Sequence, residues 1–325
     1  MNVLVIGGAG YIAGHLCADL IEKKINVTVF DNLSKGFESN IQKNSEFIYG
    51  DILNAEDLDR AFSRKKIDAV FHFAAFKAAG ESMFNPQKYS VNNIIGTLNI
   101  INKMLEHGVD KIIFSSSAAV YGEPEYLPVD ENHRINPENY YGYTKAAIEE
   151  NLKWYSRLKN IKYAILRYFN AAGYDVRCRL NTIEKDTTNL IPVAMETIFG
   201  WRDKLQVFGN DYKTEDGTCI RDYIHPNDLS DAHIKALEYL ISKKENLTIN
   251  LGQSRGASVL EVINSIERVT GIKVKIEITG RRPGDPAVVI ASNKAAFEKI
   301  GWIPRYSEID TIIKTTYAVY SKVCP

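Results

Sequence analysis

The chain opens with an apolar run, Val3-Leu4-Val5-Ile6. Runs of similar length return at Val27-Thr28-Val29-Phe30, Phe47-Ile48-Tyr49, Ala69-Val70-Phe71-His72-Phe73, Ile112-Ile113-Phe114 and Tyr163-Ala164-Ile165-Leu166. Stretches of helical periodicity separate them, which is the mark of consecutive βαβ units. The runs are almost continuously apolar rather than alternating. Strands covered by helices on both faces require that pattern, so the predicted sheet is parallel. Right-handed crossovers then give a Rossmann-type doubly wound α/β fold, with a ligand crevice beyond the carboxyl ends of its strands.

After about residue 170 the rhythm loosens. Asp175 to Asn189 and Phe208 to Gly217 are rich in Asn, Asp, Thr and Gly, and helical stretches near 227–243 and 258–270 interrupt short strands. This predicts a nucleotide-binding domain over 1–172 and a smaller mixed α/β substrate domain over 173–325, with segments free to interleave.

Charge narrows the partners. Forty basic and forty acidic residues in 325 leave a formal net charge of zero, so nothing draws the chain to nucleic acid or to an anionic membrane. No stretch approaches the roughly 18–20 apolar residues that span a bilayer. Cys17, Cys178, Cys219 and Cys324 are sparse, with no CxxC pair and no nearby His. They are expected to be reduced thiols of a cytoplasmic protein rather than metal ligands.

The first strand runs directly into Gly7-Gly8-Ala9-Gly10-Tyr11-Ile12-Ala13-Gly14, which opens a helix, and Asp31 ends the next strand. Strand, glycine turn, helix and acid in that order describe a dinucleotide site. Gly7 permits the tight turn and Gly10 lets backbone N–H groups approach a pyrophosphate at the positive end of the helix. Asp31 can accept hydrogen bonds from the adenosine ribose, and its charge repels a 2′-phosphate, which favours NAD over NADP. Gly50-Asp51-Ile52 after the third strand is placed to meet adenine or to serve as a simple turn. Phe73 and Lys77 follow the fourth strand, and Asn92 is expected to start a helix that runs to about His107.

The reacting group comes next. Ser115-Ser116-Ser117 tips the fifth strand, and Tyr141 and Lys145 share one face of the following helix, four residues apart. A free phenol ionises near about pH 10, too high for a base at neutral pH. An ammonium beside it and an oxidised nicotinamide are expected to lower that value. Ser117 can hold the substrate oxygen from which the proton leaves, so the three residues describe alcohol oxidation by hydride transfer.

With these motifs, the strings Asp31-Asn32-Leu33, His72 to Ser82, Ser115 to Gly122, Leu166-Arg167-Tyr168-Phe169-Asn170, Phe208 to Tyr212, Arg221 to His225 and Arg281-Arg282-Pro283-Gly284-Asp285 resemble the extended short-chain dehydrogenase/reductase family along essentially the whole chain. The resemblance implies inversion of C4 of a UDP-hexose, glucose or galactose, through a transient 4-keto sugar, with NAD retained between turnovers. It adds Tyr11, Ile12, Asn32 and Tyr168 to the cofactor contacts. It also implies a UDP anchor made of Asn170, Asn189, Arg221, Arg282 and Asp285, and a homodimer through helices near 86–107 and 140–158.

Two positions depart from the pattern of the family. Ala13 stands where glycine is common but remains small enough for helix packing. Val288 stands where some relatives restricted to unacetylated sugars carry an aromatic, which leaves UDP-N-acetylhexosamines open as substrates. A 4,6-dehydratase is disfavoured because Ala118-Ala119, which have no proton to exchange, follow Ser117. A uronate epimerase or decarboxylase and a non-catalytic NAD sensor are the remaining alternatives.

Overall fold

The computed structural model describes residues 1–184, 187–282 and 284–323; Pro283 and Cys324, which the motifs above include, lie outside them. The chain order is β1 (Asn2–Ile6), α1 (Tyr11–Glu22), β2 (Asn26–Asp31), β3 (Glu46–Tyr49), α2 (Ala55–Ser63), β4 (Ala69–His72), α3 (Ala79–Phe84), α4 (Pro86–Tyr89), α5 (Gly96–Glu106), β5 (Lys111–Ser117), α6 (Tyr140–Lys159) and β6 (Lys162–Tyr168). Then follow β7 (Asn170–Ala171), α7 (Leu190–Ile198), β8 (Leu205–Phe208), β9 (Ile220–Arg221), β10 (Tyr223–Ile224), α8 (Pro226–Lys243), β11 (Leu247–Leu251), β12 (Ala257–Ser258), α9 (Val259–Thr270), β13 (Ile276–Thr279), β14 (Val288–Val289), α10 (Lys294–Ile300) and α11 (Ile309–Val323).

Seven strands form the main sheet in the order β11-β6-β5-β4-β1-β2-β3, and every pairing is parallel. Six of them follow the doubly wound 3-2-1-4-5-6 order, with the chain reversing its direction of growth between β1 and β4. The apolar runs explain the layers. In β1, Val3 and Val5 pack with α1, α8 and α10 on one face, while Leu4 and Ile6 pack with α2, α5 and α6 on the other. All four are fully buried. A side chain of this size contributes about 1.5–3 kcal/mol when buried, and continuous apolar strands collect that on both sides.

A third core, including Ile191, Met195, Val262, Ile266, Ile312 and Tyr320, joins α7, α9, α11 and the β8–β13 pair. The expected division at residue 172 does not follow the sheet, because α8 and β11 return from the later half to cover and extend it. Asn92 does not begin α5. It lies inside a π-helical turn over Ser90–Ile95 that precedes α5, so the helical path starts earlier than the apolar periodicity indicates. Ala13 is buried in the core of α1, as its size allows. Among the described residues Cys17, Cys178 and Cys219 are free thiols, and no helix is long and apolar enough to cross a membrane.

One buried carboxylate pins the later half to the sheet. Asp228, in the first turn of α8, accepts the backbone N–H of Arg305 at 2.8 Å, that of Tyr306 at 2.9 Å and the Ser307 hydroxyl at 2.5 Å. Removing an acceptor that serves three sheltered donors costs far more than one hydrogen bond contributes. Asp228→Ala is therefore expected to lower the unfolding free energy by about 2–4 kcal/mol in urea denaturation. A change below about 0.5 kcal/mol, the size typical of a surface substitution, would contradict the role.

Candidate active site

The glycine turn lies at the switch point of the sheet. Gly7 has φ +78°, and a Cβ there would come within 2.6 Å of the Ala74 nitrogen after β4. Gly10 begins α1 and, among the described residues, no side chain caps that start. A short uncapped turn of this kind suits a pyrophosphate. Asp31 is buried, with Ala9 N–H donating to one of its oxygens at 3.0 Å and Leu33 N–H to the other at 2.8 Å. Burial raises its pKa against those two donors. Each oxygen keeps a lone pair for a ribose hydroxyl, so the residues present fit a dinucleotide.

The surrounding candidates divide. Asn32 donates to Asp51 at 2.9 Å, and Asp51 also accepts Leu53 N–H at 2.8 Å, so this pair ties the ends of β2 and β3 together. Ile52 is buried beside Gly96. Phe73 stacks on His233 of α8 with centroids 4.8 Å apart. Asn92 donates to Asn93 at 2.9 Å. The buried Asn93 accepts Phe76 N–H at 2.9 Å and donates back to Phe76 O at 3.1 Å. Asn93 therefore shapes the crevice loop, a role that a single Asn in a helical pattern does not announce.

Residues 173–184 form a strap over α1. Tyr11 OH donates to Gly173 O, and Ile12 packs against the core of α1. Leu180 sits where a Gly14 side chain would be, 2.6 Å from that ideal Cβ. Arg179 pairs with Asp19, Glu22 and Asp175, each at 2.6 Å. Lys77 is exposed and donates to Glu184 at 2.8 Å. Leu180→Ala, which empties the seat on Gly14 and leaves the ion pairs, is expected to speed NAD release from the holoprotein about tenfold. Loss of fluorescence of bound reduced cofactor under dilution measures this. An unchanged rate would show that the strap does not gate release.

The proposed reacting group assembles where β5 ends and α6 begins. Ser117 caps the short turn after β5 by accepting Ala119 N–H at 3.2 Å, and its hydroxyl is the neighbour that favours the ionised form of Tyr141. The Asn139 side chain caps α6 by accepting Gly142 N–H at 2.9 Å. Lys145 is buried, donates from Nζ to Ser115 O at 2.7 Å and lies 4.7 Å from the Phe114 ring centroid. Tyr168 ends β6, and burial raises its pKa.

The expected acidic phenol is not a property of the protein alone. Burial raises the Tyr141 pKa, opposed only by the Ser117 hydrogen bond. Lys145 is itself pushed down to about 7 by burial, and it lies 5.9 Å from the Tyr141 ring centroid with its Nζ turned to a carbonyl. Desolvation disfavours both charges and exceeds their mutual attraction.

The anchor candidates come from distant segments. Arg221 pairs with Asp285, 64 positions away. The pairs available from sequence, Arg221 with Asp222 and Arg282 with Asp285, are not the ones formed. Asp222 is turned inward and accepts Gln253 N–H at 2.7 Å and Ser254 and Ala291 N–H at 3.1 Å. Arg282 lies 3.8 Å above the Phe208 ring. Asn170 and Asn189 are exposed, and Val288 lies in β14, paired with Ile220.

This fold and this grouping define a Rossmann-type, nucleotide-dependent enzyme with a serine, tyrosine and lysine at its switch-point crevice. The comparisons with known proteins narrow that class. The model of the NAD dependent epimerase/dehydratase family matches residues 3–252. The chain is 44% identical over 314 residues to the UDP-glucose 4-epimerase of Halalkalibacterium halodurans, covering 97% of this chain and 94% of that protein. It superposes with TM-score 0.96 on UDP-glucose 4-epimerase from Brucella ovis in complex with NAD, 42% identical and covering 98% of each chain. It superposes with TM-score 0.94 on the Bifidobacterium longum enzyme in complex with NAD+ and UDP, 36% identical and covering 99% of each chain. The chain belongs to the NAD-dependent epimerase/dehydratase family.

Proposed function

We infer that the protein is an NAD-dependent isomerase that inverts C4 of a UDP-hexose, interconverting UDP-glucose and UDP-galactose. The observation that carries this reading is that Ser117, Tyr141 and Lys145 gather at the same sheet edge as the dinucleotide turn, with two arginines of the later half held ready by Asp285 and Phe208. When bound, NAD supplies a hydride acceptor that takes hydrogen from C4 and gives it back to the opposite face. Tyr141 removes the proton from the 4-hydroxyl and later returns it. Ser117 holds the same oxygen, and Lys145 stabilises the ionised phenol while meeting the nicotinamide ribose. Arg221 and Arg282, with Asn170, Asn189 and Asp285, keep the UDP group fixed while the 4-keto sugar turns over, because arginine forks match phosphate oxygens and stay charged throughout. The methyl side chains of Ala118 and Ala119 beside Ser117 offer no acid for eliminating water, so the keto sugar is returned rather than dehydrated.

The cofactor part on this reading is 1–172 supplemented by α8 and β11, with the rest of 173–325 holding the substrate. The small Val288 side chain supports acceptance of 2-acetamido sugars too. Free, partly buried thiols support a cytoplasmic setting.

The active form is a homodimer. Tyr143, Trp154 and Leu158 form one exposed stripe along α6, and Val91, Ile95, Met83 and Phe84 lie exposed on the adjoining segments. An apolar patch of this kind on a polar surface marks an interface. Leu158→Glu with Trp154→Glu is expected to give a monomer in sedimentation velocity with the fold intact by circular dichroism. A dimer that survives both charges would move the interface elsewhere.

The chemistry is tested by incubating the protein with UDP-glucose, UDP-galactose, their N-acetyl analogues and UDP-glucuronate and separating the products. Tyr141→Phe is expected to keep NAD and UDP while losing about two to four orders of magnitude in turnover, the usual contribution of a general base. Normal turnover by that variant would assign the proton transfer to another residue.

A further inference from the structure

Lys145 and Glu149 are the two charged side chains of α6 that are buried, one helical turn apart. Glu149 is held from three directions. Arg167 of β6 donates to it from Nε at 3.0 Å and from a terminal nitrogen at 2.5 Å, and Ser116 of β5 donates its hydroxyl at 2.6 Å. Ser116 lies between Ser115, whose carbonyl accepts Lys145 Nζ, and Ser117. The carboxylate thus grips the strand end that presents both partners of the reacting group.

We propose that Glu149 is a positioning residue for the reaction: its buried carboxylate fixes the Ser115–Ser117 strand end and supplies the negative charge that balances the Lys145 ammonium beneath Tyr141. The proposal rests on the reading of Ser117, Tyr141 and Lys145 as the reacting group. The other ionisable groups around Lys145 carry no balancing charge. His72 of β4 and His233 of α8 are pushed down by burial to about 3 and about 4, so both are neutral at working pH. Burial raises Tyr141 on α6 and Tyr168 at the end of β6, so both are neutral phenols in the resting protein. Arg167 is a second cation, held by Glu149 and by Tyr121 OH at 2.8 Å. Two buried cations therefore depend on one carboxylate, and that carboxylate opposes the loss of the proton from Lys145 that burial favours.

The direction of the pH effect follows. An anion beside an ammonium raises its pKa, so removing the anion makes Lys145 lose its proton at lower pH. The limb on which turnover falls as the ammonium disappears must then move to the acid side.

Glu149→Gln alone strands Arg167 as an unpaired buried charge, so the informative variant is Glu149→Gln with Arg167→Met. It is expected to fold, to bind NAD and to keep KM for the UDP-sugar within about threefold. Its kcat at pH 8 is expected to fall about ten- to a hundredfold and to recover on acidification, with the limb moved by about one unit or more, since one unit is tenfold in the protonated fraction. Ser116→Ala keeps every charge and removes only the hydroxyl link. It is expected to lower kcat about three- to tenfold with the limb unmoved, and it decides the matter if the double variant does not fold. A folded double variant with the native pH profile, or Ser116→Ala with native kcat, overturns the proposal. Lys145→Met separates the two readings. If it turns over normally, the assignment of the reacting group falls. If it is inactive while the double variant keeps the native profile, only the role of Glu149 falls.

Discussion

An amine buried from water and a partly buried phenol must change charge during the proposed reaction of this protein. A buried ammonium loses several kcal/mol of hydration. Around Lys145 that loss is offset by the Ser115 carbonyl at 2.7 Å, the face of the Phe114 ring at 4.7 Å and the carboxylate of Glu149. The offset is partial, since the lysine still loses its proton near pH 7. The parallel sheet makes these compensations available, because pairing β5 between β4 and β6 brings the serine run, Arg167 and the first turns of α6 to one edge. A buried pair of ionisable groups whose charges both cost energy has its balance tipped by one more charge. An oxidised nicotinamide brings such a charge, which accounts for a phenol that is weakly acidic in the protein alone and a base on the proposed pathway.

How much of this was legible in the sequence depends on how local each feature is. The first six strands were readable because burial on both faces leaves continuous apolar runs, and the glycine turn because its meaning comes from its neighbours in the chain. The return of α8 and β11 to the main sheet was not readable. Leu247 to Leu251 is a short run like those of the second half, and nothing in it says which sheet it joins. Long-range pairing is hidden for the same reason. Arg221 has Asp222 next to it, yet Asp222 is consumed by three backbone N–H groups, so the arginine meets Asp285 instead. Asn93, Glu149 and Leu180 each occupy positions that periodicity reads as ordinary helix or loop, and their roles exist only once a second element arrives.

What helix spacing leaves out about Tyr141 has a physical origin as well. Spacing on a helix places a cation four residues from a phenol, and from distance alone the cation stabilises phenolate. Spacing carries no information about burial, and burial is the larger effect here. Asp51 reads equally well as an adenine contact and as a turn because only its local bond to Leu53 N–H belongs to the turn itself, whereas its bond with Asn32 depends on how β2 and β3 are registered.

The two sides of the crevice are built to different degrees of rigidity, and the proposed reaction needs that difference. On the cofactor side, a Cβ on Gly7 would collide with backbone, Leu180 is seated on Gly14, and the strap is bolted to α1 through Asp19 and Glu22. A dinucleotide that borrows and returns the same hydride has no reason to leave, so a tight enclosure costs nothing in turnover. On the proposed substrate side the two arginines are oriented in advance, Arg221 by Asp285 and Arg282 by the Phe208 ring, which would reduce the ordering cost of binding an anionic group. The side chains of Asn170 and Asn189 are exposed. A sugar whose keto form must present first one face and then the other cannot be held as firmly as its UDP group. On the proposed pathway, affinity concentrated on the diphosphate, with little on the hexose, would allow the ring to turn while the molecule stays bound.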